Sequence, residues 1–313
     1  MIPVNVAILI VFGIVLAVSA RLVVHAAEDI ARQMGLPTFI IGFFVLGMLT
    51  STPEFFVMLQ AAADGVPMLS AGNLLGGSLL LLSFVMGLCA VILGNIKLNH
   101  GMRFPDLVFA AAVVASPVAA LRDGNLSRVD GLLLVGFYLL YVIFVSDEEK
   151  LAKRVAKRAN HAKHMATLLG MLLAGVIGMV IASKIVVESA EILMSAFHIP
   201  ALVFGLFFLS VGTNLPEFSL ALQAIARGRR DIAFGDFLGS SVANTFILGV
   251  LGILAPFQTT SYEGMMFTIM LLLGVSLFFI WAAKSKQSIS RQEGLGLLIF
   301  YGLFVVYQLF LAA

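Results

Sequence analysis

Two glutamates lie deep inside long apolar stretches of this sequence, where charged residues are rare. Glu54 and Glu217 each follow a proline directly, within a few residues of the middle of an apolar run. An ionised carboxylate in the interior of a membrane is costly unless a partner compensates its charge, and such residues usually mark ion or substrate pathways. The two glutamates are therefore the first candidates for a functional site.

Hydroxyl and amide side chains accompany both glutamates. Residues 49–54 read LTSTPE and residues 212–217 read GTNLPE. A threonine stands four residues before each glutamate, so the two side chains share one face of a helix. Carboxylate, hydroxyl and amide oxygens are ligands that hard cations such as Ca2+ prefer, whereas no cluster of Cys and His suggests a softer metal. The two motifs therefore predict a cation site.

The proline in each motif adds a second source of oxygen ligands. Proline lacks the backbone donor and crowds the carbonyl four residues earlier, here that of Leu49 or Gly212. The carbonyls of Gly47 and Ser210 lie close by, so we expect the kinked backbone to supply carbonyl oxygens to a cavity. Such irregular backbone is tolerated at membrane depth only where protein or water surrounds it.

Two further segments contain many small residues. They read AGNLLGGS over residues 71–78 and FGDFLGSSVAN over residues 234–244. Small side chains let helices approach closely in lipid, and packing explains these glycines well. Packing does not explain Glu54 and Glu217. The alternative to a cation site is that both carboxyls are protonated and donate hydrogen bonds to neighbouring carbonyls.

The composition identifies the medium in which these segments fold. Of 313 residues, 61% are hydrophobic and 12% are charged, against about 45–50% and about 25% in soluble domains. Apolar stretches of about 20 residues, the length that crosses a bilayer as a helix, recur along the whole chain. We expect Cys89, the single cysteine, to be a small core residue. The first apolar stretch is expected to remain as a helix, because no small-residue cleavage site follows it.

Ten transmembrane helices are predicted from these stretches. Their approximate bounds are residues 4–24, 38–62, 68–93, 104–121, 129–146, 167–187, 201–226, 232–255, 262–283 and 293–311. With the amino terminus outside, all but three of the 19 lysines and arginines fall on the cytoplasmic side, the exceptions being Arg122, Arg128 and Lys184. Because basic residues accumulate on that side, we predict a multi-pass protein of the cell membrane with both termini extracytoplasmic.

The two halves of the chain repeat one pattern. At an offset of 163 residues, residues 23–78 match residues 186–241 without a gap, including the threonine, proline and glutamate of both motifs. Five helices per unit is an odd number, so the second unit enters the membrane in the opposite direction, an arrangement common among secondary transporters. We therefore predict an all-α membrane protein of ten transmembrane helices in two inverted five-helix repeats. The first repeat covers residues 1–146, a basic cytoplasmic linker covers residues 147–166, and the second repeat covers residues 167–313.

These motifs resemble the cation/calcium antiporter superfamily, which contains the sodium/calcium and calcium/proton exchangers. Its two repeats carry a Gly-Thr-Ser-x-Pro-Glu pattern followed by Gly-Ser-Asn-x-x-Asn or a near variant. Here the first element reads LTSTPE and GTNLPE, and the second reads GGSLLL and GSSVAN. The resemblance implies a central metal site between the second, third, seventh and eighth helices. The ligands that it implies are Glu54, Glu217, Thr50, Ser51, Thr213, Asn214, Ser240, Asn244 and the backbone oxygens of Gly47 and Ser210.

Three positions depart from the superfamily's pattern. Leu49 replaces the glycine of the first motif, Asn214 replaces the serine of the second, and Leu81 stands where the first repeat usually offers Asn or Asp. The first half has therefore lost an oxygen. Ser78, next to Gly77 at the expected serine position, is a partial substitute and joins the predicted ligands.

Three other acidic residues receive less specific interpretations. Asp236 either adds charge to the site or caps the eighth helix, and we favour the cap. Glu28 and Glu191 are equivalent in the two repeats, but the predicted spans place them near helix ends at opposite faces of the membrane. Solvated or capping roles are therefore expected for both.

The function that these features predict is secondary active antiport of Ca2+ against Na+, by alternating access around the two carboxylates, with H+ as the alternative counter-ion. A passive cation channel would need a ring of filter residues, which the sequence does not provide. An intramembrane enzyme needs only one pairing of carboxylates, so it does not explain a motif repeated in both halves. The expected partners are membrane lipid and the transported cations, with no cofactor and no nucleic acid, and the oligomeric state stays open.

Overall fold

The computed structural model describes residues 2–33, 50–97, 103–145, 165–215, 217–218, 221, 233–259, 262–285 and 288–312. Within these ranges the chain is mostly helical. Seven helices there are long and apolar enough to cross a bilayer: Ile2–Ala27, Pro67–Leu93, Arg128–Val145, Met165–Phe197, Phe237–Leu254, Tyr262–Ala282 and Arg291–Phe310. Large apolar side chains cover their outer faces, including Leu133 at 66% exposure and Val306 at 67%. Such a surface suits lipid, as expected of a multi-pass membrane protein.

The helices are numbered here in chain order. They are α1 (Ile2–Gln33), α2 (Thr52–Ala63), α3 (Pro67–Leu93), α4 (Phe104–Ala120), α5 (Arg128–Val145), α6 (Met165–Phe197), α7 (Ala201–Thr213), α8 (Ala233–Leu254), α9 (Tyr262–Ser285) and α10 (Arg291–Ala312). A π-helical stretch lies within α3 at Leu80–Val85 and another within α7 at Gly205–Leu209. Stretches of this kind frequently occur at functional sites.

Two short antiparallel ladders connect loops that are distant in sequence. β1 (Ile96–Lys97), between α3 and α4, pairs with β4 (Ser288–Ile289), between α9 and α10. β2 (Asn125–Leu126), between α4 and α5, pairs with β3 (Phe257–Gln258), between α8 and α9. Each ladder therefore fixes the ends of several helices relative to one another.

The helices α3 and α8 lie at the centre of the molecule. They pack against each other, and buried apolar side chains from α4, α5, α9 and α10 form one core cluster around them. The helix α1 packs along α6, and a second cluster joins this pair to α2 and α7. The two helices that carry the glycine-rich segments are thus largely enclosed by protein.

The helices α3 and α7 cross in backbone contact. A Cβ atom on Gly76 would lie 2.5 Å from the carbonyl oxygen of Leu206, and a Cβ atom on Gly72 or Gly205 would collide with the backbone of the other helix. Glycine is required at these positions because any side chain would separate the helices. The crossing brings the glycine-rich segment of the first half against the second half, in agreement with the packing role predicted for these glycines.

Two predicted helices were too short. The helix α1 continues to Gln33 and not to about residue 24, and α6 covers Met165–Phe197 and not residues 167–187. In α1 and α6 the apolar run ends at polar residues, where the predicted spans stop. The residues that follow contain no glycine or proline, so the helix continues through them. The helix α6 also begins two residues inside the predicted linker of residues 147–166. The rest of that linker, and residues 38–49 of the predicted second span, lie outside the described residues.

Candidate cation site

Each half has a helix break at the same place in its repeat. The backbone is helical at Thr50, turns at Ser51 and is helical again from Thr52, whereas α7 ends at Thr213 and Asn214 forms the turn. Asn214 follows Ser51 by the 163 residues that relate the repeats. Both glutamates therefore lie just after a break, near backbone N–H groups at a helix start, where negative charge is favoured.

The break in the first half has a local cause. Pro53 is one of the first two residues of α2, where a missing backbone donor breaks no helical hydrogen bond. The Phe55 amide still donates to the Ser51 carbonyl at 3.1 Å, and the equivalent Phe218 amide donates to the Asn214 carbonyl at 3.0 Å. The backbone irregularity predicted at Pro53 is thus a one-residue turn at Ser51 that keeps this hydrogen bond.

Every predicted ligand in the described part of the chain is buried, with at most 3% of its surface exposed. These residues are Glu54, Glu217, Thr50, Ser51, Thr213, Asn214, Ser78, Ser240, Asn244 and Ser210. The remaining predicted ligand, Gly47, lies outside the described residues. The predicted set thus occupies the interior of the molecule and does not face lipid.

Ser240 of α8 connects the two halves through one hydrogen-bond relay. The Thr50 and Ser240 hydroxyls lie 2.9 Å apart, and the Ser240 hydroxyl donates to Oε1 of Glu217 at 3.3 Å. Since the proton of Ser240 is used for the carboxylate, Thr50 is the donor in the first bond. The Ser51 hydroxyl also donates to the Ser240 carbonyl at 3.5 Å. Thr50 and Ser51, two predicted ligands of the first half, thereby contact Ser240, which donates a hydrogen bond to the glutamate of the second half.

A second set of hydrogen bonds runs in the other direction, from the second half to α3. The Thr213 hydroxyl donates to Oδ1 of Asn73 at 3.0 Å. The amide nitrogen of Asn244 donates to the Ser78 hydroxyl at 3.3 Å and to the Leu74 carbonyl at 3.4 Å. Asn73 and Leu74 were not among the predicted ligands. The only feature of the sequence that pointed to these two residues was their position in the AGNLLGGS segment. Helix packing explained that segment as well as a role in the site did.

Several oxygens at this centre have no hydrogen-bond donor among the described residues. They are Oε1 and Oε2 of Glu54, Oδ1 of Asn214 and Oδ1 of Asn244. The hydroxyl of Thr213 also faces Glu54, but its proton is directed to Asn73. A buried acceptor without a partner costs about 1–3 kcal/mol, and a charged one costs more. Such atoms can therefore accept hydrogen bonds or bind a positive ligand.

The two asparagines are held with these oxygens free. The Asn214 amide nitrogen donates to the Ser210 carbonyl at 2.8 Å and to the Thr213 hydroxyl at 3.3 Å. Both amide nitrogens are thus used in hydrogen bonds to protein, which leaves each carbonyl oxygen as an acceptor. The Ser210 carbonyl accepts from the side chain and from the backbone amide of Asn214, so its role as a direct ligand stays a prediction.

The charge at the centre comes from the glutamates. Glu54 forms no ion pair with any described residue; the ion pairs found there are Arg103–Asp106 and Lys184–Glu188. Coulomb attraction between unit charges grows strongly as the dielectric falls, so a cation bound at this depth would interact strongly with the carboxylates. The centre can therefore hold a divalent cation, or about two monovalent ones, as a neutral complex.

The other acidic residues do not contribute to this centre in the described structure. Glu191 lies within α6 and is half-buried, because the helix continues to Phe197 beyond the predicted end at residue 187. It therefore lies inside the helix, in its last two turns, and not beyond the helix end as the predicted span implied. The side chains of Glu28 and Asp236 lie outside the described residues, so the roles predicted for them stay predictions.

The sequence pattern of a known family covers both halves of the chain. The family described as sodium/calcium exchanger protein matches residues 4–146 and 167–310. The chain belongs to this family. The resemblance to the cation/calcium antiporter superfamily seen in the motifs is thereby confirmed.

Relatives of this exchanger-family chain extend over nearly its full length. The inner membrane protein YrbG of Escherichia coli (strain K12) is 29% identical over 310 residues, which cover 95% of this chain and 94% of YrbG. The sodium/calcium exchanger MaX1 of Methanosarcina acetivorans is 25% identical and covers 98% of this chain and 99% of MaX1. The crystal structure of the H+/Ca2+ exchanger CAX has the same fold, with a TM-score of 0.79 and 18% identity over 97% of this chain and 82% of CAX.

Proposed function

We propose that this protein is a secondary antiporter that exchanges Ca2+ for Na+ across the cell membrane. The observation that carries the proposal is the central cluster, in which one buried glutamate from each half lies among hydroxyl and amide oxygens of both halves. These are the ligands of hard cations. The family to which the chain belongs, and the name of its relative MaX1, support Ca2+ and Na+ as the transported ions.

The two carboxylates provide a physical reason for coupled exchange. Without a cation, the centre carries negative charge in a poorly polarisable interior, and moving it between the two sides of the membrane is costly. One Ca2+, or several Na+, removes that cost. Because Ca2+ and Na+ use the same oxygens, they exclude each other. Each time the site changes the side of the membrane to which it opens, it therefore carries either Ca2+ or Na+.

The proposed architecture is ten transmembrane helices in two inverted repeats, residues 1–146 and 167–313, joined by a linker over residues 147–166. The two stretches that match the family support this division. The two ladders support the topology, because each joins loops that the ten-helix arrangement assigns to one side of the membrane. In this arrangement β1 and β4 are cytoplasmic, and β2, β3 and both termini are extracytoplasmic.

The second candidate is Ca2+/H+ exchange. Protons bind the same carboxylate oxygens as Na+, and both oxygens of Glu54 lack a protein donor among the described residues. The likeness to CAX shows a shared fold and does not select the counter-ion. The geometry of the site does not distinguish Na+ from H+ as the counter-ion, and a transport experiment is needed to do so.

Transport by the purified protein in lipid vesicles tests the proposal. Radioactive Ca2+ uptake is measured under an outward Na+ gradient at equal pH, and under a pH gradient without Na+. We expect uptake driven by Na+, and uptake driven only by pH would select the second candidate. Ca2+ movement that needs neither gradient would identify a channel, and no movement of Ca2+ by folded protein would overturn the antiporter proposal.

A further inference from the structure

Asn73 of α3 forms a buried hydrogen bond with Thr213 of the second half. The Thr213 hydroxyl donates to Oδ1 of Asn73 at 3.0 Å, and the two residues are only 2% and 0% exposed. A Cβ atom on Gly205 of α7 would lie 2.8 Å from the backbone nitrogen of Asn73. The close crossing of α3 and α7 therefore holds Asn73 against the helix that ends at Thr213.

Two hydrogen bonds determine which part of the Thr213 hydroxyl faces Glu54. The proton of this hydroxyl is directed to Asn73, and one of its lone pairs accepts from the Asn214 amide nitrogen at 3.3 Å. A hydroxyl has one proton and two lone pairs, so the second lone pair remains for the side that faces Glu54. Thr213 therefore presents an oxygen, and not a proton, to a carboxylate whose two oxygens have no donor among the described residues.

In the other half of the site, one hydroxyl performs two tasks. Ser240 accepts the proton of Thr50 and donates its own proton to Glu217. Gly77, the equivalent of Ser240 at the offset of 163 residues, has no hydroxyl and can perform neither task. Asn73 provides the acceptor that is missing at Gly77, whereas the missing donor has no counterpart among the described residues.

We propose that Asn73 is a positioning residue of the cation site, which holds the proton of Thr213 away from Glu54 so that the Thr213 oxygen and the Glu54 carboxylate can bind one cation together. The inference rests on the proposed cation transport and concerns the same site. Two oxygens that face each other without a proton between them repel, and a cation between them removes the repulsion. A Thr213 proton turned to Glu54 would instead form a charge-assisted hydrogen bond and compete with the cation.

A double-mutant cycle tests whether Asn73 acts through Thr213. The variants are Asn73→Leu, which removes the acceptor, Thr213→Val, which removes the hydroxyl, and the double variant. Ca2+ and Na+ affinities are obtained from the rise that increasing concentrations of each ion cause in the unfolding temperature of the purified protein.

Each single variant is expected to bind Ca2+ about tenfold more weakly than the parent, a factor that one hydrogen bond to a charged group can produce. In Asn73→Leu the Thr213 proton turns to Glu54, and in Thr213→Val an oxygen ligand is lost. The double variant is expected to bind Ca2+ within about twofold of Thr213→Val, because Asn73 then has no proton to hold. A loss in the double variant equal to the product of the two single losses would overturn the inference, as would parental affinity in Asn73→Leu.

Two further variants separate positioning from a purely structural role. Asn73→Asp keeps an acceptor oxygen, and aspartate stands at the equivalent position 236, so its Ca2+ affinity should equal or exceed that of the parent. Gln308→Leu on α10 is the matched control, because it removes a buried amide that donates to the Thr268 hydroxyl of α9 at 2.8 Å. It should change the affinity for either ion about twofold or less. Losses as large as that of Asn73→Leu in either variant would contradict the positioning role.

The outcomes remain distinct if a variant fails to fold or the parent fails to transport. Size-exclusion chromatography identifies a misfolded variant, and Asn73→Ala, which removes the acceptor without adding volume, replaces Asn73→Leu in that case. If the parent binds both ions but moves no Ca2+ under any gradient, the proposed function fails and the cycle still decides the role of Asn73. A parent whose unfolding temperature responds to neither ion would overturn both proposals.

Discussion

Glu54 is a buried carboxylate whose burial costs folding free energy. Both of its carboxylate oxygens are buried without a donor among the described residues, and the side chain is 1% exposed. The Thr213 hydroxyl, which faces Glu54, donates its proton to Asn73. A residue in this state destabilises the ion-free protein, and a cation bound there would remove the penalty.

Replacing Glu54 by glutamine should separate these two effects. We expect Glu54→Gln to lower Ca2+ affinity about 100-fold or more, since the loss of about 3 kcal/mol of attraction already produces that factor. We also expect the ion-free variant to be more stable than the parent by about 1–3 kcal/mol, because an unpaired buried charge is removed. Unfolding temperatures measured with and without Ca2+ check both expectations.

A matched control for this substitution is Glu188→Gln on α6. Glu188 has the same change of charge but a side chain that is 54% exposed and in a weak ion pair with Lys184 at 3.9 Å. It should leave both the stability and the Ca2+ response close to those of the parent. A Glu54→Gln variant with an unchanged Ca2+ response would show that the carboxylate is not a ligand.

The sequence identified the buried residues of the candidate site but not their hydrogen bonds. Glu54, Glu217 and their neighbouring threonines could be predicted because a polar residue in an apolar run needs a reason and the motif occurs twice. The roles of Asn73 and of the Asn244 amide could not, because both depend on contacts between residues that are far apart in sequence. Such contacts follow from the packing of the two halves and leave no local pattern.

At the scale of helices, the close crossing of α3 and α7 determines the distance between the two halves. Gly72 and Gly205 face each other there, and each meets the backbone of the partner helix. The sequence predicted that such residues permit close approach, and the structure identifies which ones do. Helix ends were predicted less well, since hydropathy marks where a helix leaves the apolar core and not where α1 or α6 stops.

A methyl group at this crossing should destabilise the protein strongly. We expect Gly205→Ala to reduce the free energy of unfolding by about 1–3 kcal/mol, because its Cβ would overlap the Leu69 carbonyl in a packed interface. Thermal unfolding in detergent measures the loss. Gly170→Ala on α6 is the control: among the described residues, no atom beyond its chain neighbours and its own helical backbone lies within 4 Å of its Cβ position, so alanine should be neutral or stabilising there. Equal stability of the two variants would contradict the crossing.

At the scale of the whole molecule, the equivalent threonines of the two repeats have different hydrogen-bond partners at the centre. Thr50 contacts Ser240, but its equivalent Thr213 contacts Asn73, which lies one helical turn before Gly77, the equivalent of Ser240. Gly77 has no hydroxyl, so Thr213 cannot form the equivalent of the Thr50–Ser240 hydrogen bond. The repeats of an inverted-repeat transporter exchange conformations when the open side changes, and in this chain they would do so with different hydrogen-bond partners at the centre.

The orientation that we proposed from the basic residues can be tested by labelling the two ends of α9. The Tyr262 hydroxyl at the start of α9 donates to the Arg122 carbonyl at 2.8 Å, so the loop containing Asp123 lies at that end of the helix. Lys284 lies at the other end, about 33 Å away at 1.5 Å per residue, which is enough to cross the hydrocarbon core. We therefore expect the two residues to lie on opposite sides of the membrane.

In a Cys89→Ala background, we expect a membrane-impermeant thiol reagent to label Asp123→Cys in intact cells, and Lys284→Cys only after the cells are permeabilised. Cys89 is buried and free, so its removal excludes background labelling without exposing a new thiol. The reverse pattern would mean that the termini are cytoplasmic and that the basic loops face outside, against the usual distribution of lysine and arginine. Labelling of both positions from one side would contradict the span of α9, and with it the proposed inverted arrangement of the two repeats.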